Sequence, residues 1–581
     1  MKKIIALFLA LLMLFGMAAC GTTAQTETPA ETEAEPVLEL TTDDYGIFNH
    51  PNGYEGELPL VKEGEPNKVT FGINTTANCT DYDDNAYFNW VEEQTGVDIE
   101  VVPFGGSSSD AATQISLMTA SKEKLPDVLL SFGGINKATY NEYGVDGYFI
   151  DLGEYLSTEA YWLNDSLHKC YPTEKEYDDI MREIMGYIQA PATGEIYGFP
   201  TLFQNPTDTM LAHMWINQQW LENLGLQAPT TVEELYDVLV AFRDNDPNGN
   251  GKKDEIPMVG RADAQGYSVT QCIINAFIYC SDKYRYIIND GVVSAPYDQD
   301  EYRQALIYMK KLVDEKLLDP MSWTAKAPDI DALMNPDDNV YTVGIAVCPG
   351  DTIFENGGDS VFAYEPLAPF KAATDKGGYG VTFCDYIYGT THITADCENP
   401  ELAFKLLDFM SGMECIVRQR WGIEGQHWEY MEPKENAGNL GGTARIKILD
   451  SSAFDGTNNY VWHGQFGMNS EAYWQYELDV NDGSWNGTLY KKLQQQKQNY
   501  VDAGQPEEQY FNISRTDEEE EIWSDANADI TEYIRTSRAN FCNGITDPNN
   551  DADWQNYLND LYSLNYEQWI SIAQAYYDRT H

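Results

Sequence analysis

The stretch Lys68–Phe104, KVTFGINTTANCTDYDDNAYFNWVEEQTGVDIEVVPF, decides the fold class of this chain. Its opening KVTFGI reads as a strand, and Tyr87, Phe88 and Val91 then recur at the spacing of one helical face. Gly96 is the kind of residue that ends a helix, and VDIEVVPF begins a second strand. A strand, a helix and a strand in this order predict a βαβ unit with parallel strands.

The same alternation continues downstream. Ala111–Ser121 is predicted to be helical, and Leu125–Ser131, LPDVLLS, reads as a short buried strand. Thr231 and Glu234 form a capping box at the start of a later helix, and a strand-then-helix pattern returns in Phe383–Gly412. Strands that alternate with helices over this length predict an α/β fold with a largely parallel sheet.

The amino terminus reads as an export signal. Lys2 and Lys3 precede the apolar run Ile4–Phe15, which is short for a membrane span. Small residues then lead to Cys20, a pattern that resembles a bacterial lipobox. The resemblance implies that residues 1–19 are a lipoprotein signal peptide and that diacylglycerol is attached to the Cys20 thiol. An ordinary secretory signal with an incidental cysteine is the alternative.

The residues after the signal predict a tether. Gly21–Pro36 contains no aromatic or branched aliphatic residue, so it cannot bury enough apolar surface to offset its chain entropy. We therefore expect residues 20–65, lipidated at Cys20, to be a flexible tether. It would hold a folded body at the outer face of a membrane.

Composition limits the class of partner and the domain organisation. The chain has 36 Lys and Arg against 93 Asp and Glu, a formal net charge of −57 that argues against nucleic acid as a partner. The body is too long for one core and should form at least two lobes. Ten cysteines, including Cys20, show no CxxC pairs, and we expect the others to be mostly buried small apolar side chains.

The segment Arg243–Pro257, RDNDPNGNGKKDEIP, fits a calcium-loop pattern in two registers. One register begins at Asp244 and reaches Glu255 at its twelfth position. The other begins at Asp246, has Asp254 at its ninth position and needs Glu255 as its late acidic ligand. An Asn- and Gly-rich turn with solvated acids is the alternative to both.

Most of the mature chain resembles the extracellular solute-binding proteins of carbohydrate ABC importers. The resemblance runs through Phe71–Val101, GEIYGFPTL (Gly194–Leu202), WGIEGQHWEY (Trp421–Tyr430) and the C-terminal segment Ile530–Leu561. Within that group the chain is similar to large lipoproteins with a calcium loop, such as the alginate-oligosaccharide-binding proteins. This implies a type II periplasmic-binding-protein-like fold, in which multiple crossing segments join two α/β lobes that close on a ligand.

The resemblance also implies lobe boundaries and a calcium register. Residues 66–200 with 370–415 would form the N-terminal lobe, and residues 201–369 with 416–581 the C-terminal lobe. Gly194–Pro200 and Phe362–Phe370 would be crossing segments. The resemblance favours the second register, with a structural calcium ion in the C-terminal lobe held by Asp246, Asn248, Asn250, the Lys252 carbonyl, Asp254 and Glu255.

Sugar-binding sites pair flat aromatic side chains with groups that bind hydroxyls. Residues of both kinds lie near predicted strand ends and lobe crossings, although each one alone could belong to the core or the surface. Asp83 and Asp84 could equally cap a helix. The predicted ligand-binding residues are Asp83, Asp84, Phe203, Gln204, Trp215, Trp323, Tyr379, Asp385 and Trp421.

Together these features predict a monomeric, lipid-anchored receptor on the extracellular face of a bacterial membrane. It would bind an oligosaccharide and deliver it to the permease of an ABC importer, without catalysis. No HExxH, GxSxG or P-loop motif is present. The alternatives are a peptide-binding ABC lipoprotein and a secreted carbohydrate-active enzyme.

Overall fold

The structure is a computed structural model that describes most of the body of the chain. It describes residues 56–580 except 63, 77, 106, 133–134, 136, 191–192, 205–212, 263–267, 282–284, 349–352, 381–385, 455–456, 465, 471–472, 505 and 507–514. The predicted signal peptide, Cys20 and most of the predicted tether lie outside the described residues.

Strands and helices alternate along the described chain. The strands are β1 (Lys68–Asn74), β2 (Asp98–Phe104), β3 (Val128–Leu130), β4 (Phe199–Gln204), β5 (His213–Asn217), β6 (Ile256–Val259), β7 (Ile287–Asn289), β8 (Val292–Ser294), β9 (Val343–Cys348), β10 (Tyr364–Leu367), β11 (Tyr386–Ile393), β12 (Trp428–Lys434), β13 (Ala444–Ile448), β14 (Met468–Ser470) and β15 (Gln475–Tyr476).

The helices complete this alternation. They are α1 (Ala86–Thr95), α2 (Ser108–Ser121), α3 (Lys137–Val145), α4 (Gly153–Thr158), α5 (Tyr161–Cys170), α6 (Glu174–Ile188), α7 (Gln218–Leu224), α8 (Val232–Asp244), α9 (Val269–Ile274), α10 (Asp300–Asp314), α11 (Ala327–Met334), α12 (Ser360–Ala363), α13 (Pro400–Met410), α14 (Met413–Trp421), α15 (Trp485–Ala503), α16 (Asp517–Cys542), α17 (Asp551–Ser563) and α18 (Tyr566–Thr580).

The first lobe is built on a six-stranded sheet with the order β14-β4-β11-β3-β1-β2. Strand β1 pairs in parallel with both neighbours, so that Phe71 lies opposite Val101 on one side and Val128 on the other. Phe71 is fully buried, and Phe88 and Val91 of α1 pack into the same apolar core. The predicted βαβ unit is therefore confirmed.

The second lobe is built on a four-stranded sheet with the order β10-β5-β9-β6. Strand β6 pairs in parallel with β9, whereas β5 runs antiparallel to both of its neighbours. Leu235, Leu239 and Phe242 of α8 are buried in a core that α10 and the C-terminal helices complete. Two sheets with separate cores confirm the predicted α/β architecture of two lobes.

A small third sheet, β12-β13-β15, contacts both lobes. Its core joins Trp428 and Ile446 to Val417 of α14, a helix that packs on the first lobe. On its other side, Gln494 Nε2 of α15 donates a hydrogen bond of 2.9 Å to the Asn439 carbonyl. Helix α15 packs on β10 of the second lobe, so the small sheet touches elements of both lobes.

The structure places the lobe crossings later in the chain than predicted. The chain passes from the first sheet to the second between β4 and β5, returns before β11 and leaves again after β14. Phe362–Phe370 does not cross, because its strand β10 pairs with β5 inside the second sheet. The strand Met468–Ser470 pairs with β4, so much of the stretch after residue 416 belongs with the first lobe.

The predicted capping box at α8 forms with a shift of one residue. The Thr231 hydroxyl accepts a hydrogen bond of 3.1 Å from the Glu234 amide, as predicted. The Glu234 carboxylate reaches back one residue further, to the amide of Thr230, at 2.7 Å. Both arms still satisfy amide groups at the start of the helix.

Most of the described cysteines are buried, as expected for small apolar side chains. The buried ones are Cys79, Cys272, Cys280, Cys348, Cys415 and Cys542.

A buried carboxyl group organises the first lobe. Asp408 of α13 is fully buried and accepts hydrogen bonds of 2.9–3.0 Å from the amides of Tyr161, Trp162 and Leu163, which open α5. Burial raises the pKa of Asp408 to about 7, against the three hydrogen bonds, which lower it. The carboxyl group therefore caps a helix start that has no side-chain cap of its own.

Replacing Asp408 with Asn should destabilise the chain in a way that depends on pH. The amide NH2 group would face the helix amides, and we expect a loss of about 1–3 kcal/mol in the free energy of unfolding at pH 5. Because the folded-state pKa is raised, the stability due to Asp408 is complete below about pH 4 and falls as the pH rises through about 7. Chemical denaturation at pH 5 and pH 8 should therefore show a smaller cost at pH 8.

Asp396→Asn is the matched control, because the exposed Asp396 carboxylate accepts one backbone amide bond, of 2.8 Å, from Leu125. A cost of Asp408→Asn that is equal at pH 5 and pH 8 would contradict the role of burial.

Candidate functional site

The strand directions identify which end of each sheet faces the other lobe. We call this end, which is formed by the termini of the strands, the edge of the sheet. In the first sheet, β1, β3, β4 and β14 all end at one edge, where β11 begins. In the second sheet, β6, β9 and β10 end where β5 begins. The chain passes directly between these two edges, so they face each other. The region between them is the candidate ligand site, at the carboxyl ends of the parallel strands.

The loop between β1 and α1 places two predicted residues at this edge. Asp83 and Asp84 are exposed. The cap of α1 is Asn85, whose side-chain oxygen accepts a hydrogen bond of 3.0 Å from the Tyr87 amide. Neither aspartate is therefore the cap, and the alternative interpretation of this pair is wrong. Their carboxylates remain accessible as acceptors for hydroxyl groups.

Trp421 lies at the last position of α14 and is partly exposed. Its ring lies 5.4 Å from the ring of Phe454 and 5.5 Å from that of Tyr476. The Arg420 guanidinium lies 4.5 Å from the centre of the Phe454 ring. Trp421 is thus part of an aromatic group on the first-lobe side, in contact with the small sheet.

Trp323 and Tyr379 lie on the second-lobe side. Trp323 follows Ser322, whose carbonyl accepts a hydrogen bond of 2.7 Å from Ala262, just beyond the end of β6. The Trp323 indole N–H is buried and has no hydrogen-bond partner among the described residues. Tyr379 is partly exposed, and its ring lies 5.6 Å from that of Tyr279.

One predicted ligand residue belongs to the core instead. Trp215 of β5 is fully buried, and its ring meets that of Phe354 edge to face at 4.9 Å. A tryptophan on a central strand, covered on both faces of the sheet, packs and does not reach a ligand. Phe203 and Gln204 are the last residues of β4, at the candidate edge, but their side chains do not belong to the described part of the structure. Asp385 lies outside the described residues.

The structure also brings in a residue that the sequence did not indicate. Asn459 contacts the loop that carries Asp83 and Asp84, and it donates a hydrogen bond of 3.3 Å to the Asp84 carbonyl. The two segments are 375 residues apart in the chain. No local pattern marks Asn459, because its neighbours form no long helix or strand.

The predicted calcium loop folds into a tight set of turns between α8 and β6. The Asp246 carboxylate accepts hydrogen bonds from the amides of Asn250, at 3.1 Å, and Gly251, at 2.9 Å. Asn250 Oδ1 accepts one from the Lys252 amide at 2.7 Å. Gly251 has φ +75°, a left-handed turn that glycine adopts without strain. The side-chain oxygens of alternate residues are thereby drawn together.

Two side chains distinguish the registers. Asp244 is the last residue of α8, and its carboxylate binds Arg243 through contacts of 2.7 and 2.9 Å. Asp254 instead accepts hydrogen bonds from the side-chain amides of Asn248, at 3.3 Å, and Asn250, at 3.1 Å. These contacts favour the register that begins at Asp246.

The Glu255 carboxylate is the third acidic group of this loop, and one of its oxygens lacks a hydrogen-bond partner in the part of the chain that the structure describes. Its Oε1 atom is buried and has no hydrogen-bond partner among the described residues. Burial raises the pKa of Glu255, and the nearby carboxylates of Asp254 and Asp246 raise it further. A partly buried carboxylate that has one unpaired oxygen and lies beside two other carboxylates is the environment that a cation would relieve.

Carboxylates alone do not complete such a site. Among the described residues, no group of three or more His, Cys, Asp or Glu side chains is arranged to hold a metal ion. A cation in this loop would also need the amide oxygens of Asn248 and Asn250 and the backbone carbonyl of Lys252. Hard oxygen donors of these kinds are the ligands that calcium takes.

Across the part of the chain that the structure describes, no helix combines the length and the apolar character needed to cross a membrane.

The chain is similar to a known family over more than half of its length. The family model for bacterial extracellular solute-binding proteins matches residues 83–414. A curated relative, the fructooligosaccharide ABC transporter substrate-binding protein FusA of Streptococcus pneumoniae, is 25% identical over 515 residues. That match covers 84% of this chain and 86% of FusA.

Solved structures share the fold. An extracellular solute-binding protein from Bifidobacterium longum subsp. infantis superposes with a TM-score of 0.70 at 19% identity, covering 90% of this chain and 99% of its own. An EF-hand mutant of S. pneumoniae FusA in complex with fructo-nystose gives 0.64 at 22% identity, covering 88% and 99%. The alginate-binding protein AlgQ2 without calcium ion gives 0.60 at 20% identity, covering 90% and 100%.

Removing the negative charge of Glu255 should stabilise the chain in the absence of cations. With its pKa raised, the ionised carboxylate is disfavoured in the folded state at neutral pH. In chelator at pH 7, Glu255→Gln should therefore raise the thermal midpoint. The gain should vanish near pH 4, where the carboxyl group becomes protonated. Differential scanning calorimetry at both pH values, with the exposed Glu435→Gln as control, measures it. A lower midpoint for Glu255→Gln at pH 7 in chelator would contradict this account.

Proposed function

We propose that this chain, which belongs to the bacterial extracellular solute-binding proteins, captures an oligosaccharide between its two lobes and delivers it to an ABC importer. Two lobes connected by repeated chain crossings can close on a ligand by hinge motion. FusA, a relative over most of the chain, is named for a fructooligosaccharide transporter, which supports an oligosaccharide ligand here.

The observation that carries the proposal is the chemistry of the two facing edges. The first-lobe side presents the exposed carboxylates of Asp83 and Asp84 and the partly exposed ring of Trp421. The second-lobe side presents the partly exposed side chains of Trp323 and Tyr379. Flat rings suit the C–H faces of sugars, and carboxylate and N–H groups suit their hydroxyls.

Binding without turnover is part of the proposal. Members of this family bind solutes for transport, and a receptor releases its ligand chemically unchanged. The same acidic and aromatic surface would suit a carbohydrate-active enzyme. The two functions are distinguished by whether a sugar incubated with the protein is recovered intact or broken down. A peptide-binding receptor of this fold remains the alternative for the ligand class.

We also propose that the chain carries a lipid anchor at Cys20. Signal cleavage before Cys20 and lipidation of its thiol would hold the monomeric receptor on the extracellular face of the membrane, close to its permease. Mass spectrometry of the protein extracted from membranes, compared with Cys20→Ser, tests this part. A Cys20→Ser chain that remains membrane-bound would contradict it.

A melting screen tests the ligand class. Residues 37–581 would be heated with kestose, trigalacturonate, an alginate trimer or a mixture of tripeptides. A ligand at a hundred times its dissociation constant adds about 2.7 kcal/mol to the free energy of unfolding, enough to shift the midpoint. We expect a sugar to raise the midpoint and to be recovered intact. A shift with tripeptides alone would change the ligand class, and sugar breakdown would overturn the receptor function.

Two tryptophan variants test which aromatic ring contacts the sugar. Trp323→Ala should weaken binding of the responsive sugar about tenfold, because a stacked ring contributes on the order of 1 kcal/mol beyond its buried area. Trp215→Phe should lower the thermal midpoint and leave the affinity unchanged, because Trp215 is buried in the core. Titration calorimetry on both variants measures the difference. The opposite pattern would place the site elsewhere.

We infer that the loop at residues 246–255 binds calcium. Two structural neighbours support this proposal: the FusA structure is that of an EF-hand mutant, and the AlgQ2 structure is the form without calcium ion. Here Asp246, Asn248, Asn250, Asp254 and Glu255 would hold the ion together with the Lys252 carbonyl. The ion would offset two of the three negative charges of the carboxylates and fix the end of α8 to β6. Its role is structural, because the loop leads into the start of β6, opposite the candidate ligand edge.

The calcium register can be tested with one pair of variants. Asp246→Asn should abolish the rise in thermal midpoint on adding calcium, because it removes a first ligand of the favoured register. Asp244→Asn should keep that rise, because the Asp244 carboxylate is bound to Arg243. Calorimetric titration with calcium, starting from chelator-treated protein, measures both. Loss of the response in Asp244→Asn would support the other register, and no response in the wild type would exclude calcium.

A further inference from the structure

A segment distant in sequence holds the acidic loop of the first lobe. Asn459 Oδ1 accepts hydrogen bonds from the Thr80 amide at 3.0 Å, the Asp81 amide at 2.8 Å and the Thr80 hydroxyl. Asn459 Nδ2 donates to the Asp84 carbonyl at 3.3 Å. One side chain thus contacts both ends of the loop Thr80–Asp84.

Backbone contacts support the same arrangement. The Asn459 carbonyl accepts a hydrogen bond of 2.8 Å from the Ala86 amide, and the Asn458 amide donates one of 3.0 Å to Asn78. The side chain of Asn85 donates to the Val461 carbonyl at 2.9 Å. The loop is therefore held at the start of α1, beside the edge that faces the second lobe.

The chemistry of asparagine suits this position. The loop carries the carboxylates of Asp81, Asp83 and Asp84 within a few residues. An amide oxygen accepts the loop's N–H groups without adding another negative charge, and an amide nitrogen can also donate to a carbonyl. A carboxylate at position 459 would satisfy the same N–H groups but repel its neighbours.

The same segment also contacts the turn after Trp421. The ring of Tyr460, next to Asn459, lies 4.4 Å from the ring of the buried His427. Gly422 has φ +79°, and a Cβ atom there would lie 2.9 Å from His427 Nδ1 and 3.4 Å from Tyr460 Cβ. Only glycine fits this close approach. The acidic loop and the Trp421 turn are thus placed by one short segment.

We propose that Asn459 is a positioning residue for oligosaccharide binding. It fixes the loop so that the carboxylates of Asp83 and Asp84 meet ligand hydroxyls on the same side as Trp421. The inference rests on the proposed function, since it assumes an oligosaccharide between the lobes. Asn459 acts through the loop and does not itself contact the ligand.

Asn459→Ala removes the side-chain hydrogen bonds and leaves the loop to be ordered by the ligand. Because binding then includes the cost of ordering, we expect affinity to fall about 10- to 100-fold. Asn543→Ala is the control, since it too removes an asparagine side chain that is hydrogen-bonded to the backbone, with a bond of 2.9 Å to the Ala539 carbonyl, but at a helix end in the second lobe. Its affinity should equal that of the wild type.

A double-mutant cycle separates positioning from general destabilisation. Titrations would use whichever of kestose, trigalacturonate and the alginate trimer raises the wild-type midpoint. In a background with Asp83→Ala and Asp84→Ala, Asn459→Ala should cost less than about twofold more, because the groups it positions are gone. An equal loss in both backgrounds, or no loss in either, would overturn the proposal.

A conservative variant gives a second readout. Asn459→Asp keeps an acceptor for the Thr80 and Asp81 amides, so their hydrogen exchange should stay slow, whereas Asn459→Ala should speed it. The affinity of Asn459→Asp should lie between those of the wild type and the alanine variant. Fast exchange in the wild type would also overturn the proposal. If none of the three sugars shifts the wild type, the proposed function fails first, and the positioning role falls with it.

Discussion

Strands β4 and β14 end, and strand β11 begins, at the same edge of the first sheet. Each passage of the chain between the two sheets leaves or enters the first sheet at this edge, so the edge faces the second lobe. The edge also carries the carboxyl ends of β1 and β3 and hence the loops that follow them. The loop of Asp83 and Asp84 lies in the candidate site for this reason, and the order of the strands fixes it.

Each lobe buries a charged group at a helix terminus. In the first lobe, Asp408 accepts the amides that open α5. In the second lobe, Lys492 donates to the carbonyls of Val361, at 2.7 Å, and Tyr364, at 2.5 Å, at the end of α12, with Glu365 3.0 Å away. An acid at a helix start and a base at a helix end both match the helix dipole. Burial raises the pKa of Asp408 and lowers that of Lys492, because it destabilises the charged form of each group.

The sequence predicted the parts of the fold that depend on neighbouring residues. The βαβ unit, the start of α8 and the oxygen-rich loop each follow from a local pattern. The lobe crossings do not, because the short strand β14 acquires its place only by pairing with β4, far away in the chain. Nor could the sequence separate Trp215 from Trp323, since burial depends on what packs against each ring. The sequence also left two registers open in the oxygen-rich loop, and the contact between Arg243 and Asp244 favours the one that begins at Asp246.

The small sheet has a consequence for how readily the empty molecule opens. It shares a core with α14 of the first lobe, yet it is hydrogen-bonded to Gln494 of α15 in the second. A rotation that carries the small sheet along with the first lobe would break the hydrogen bond between Gln494 and Asn439. A contact that forms in one arrangement of the lobes and is lost in another shifts the balance between them, and the apparent affinity for a ligand depends on that balance.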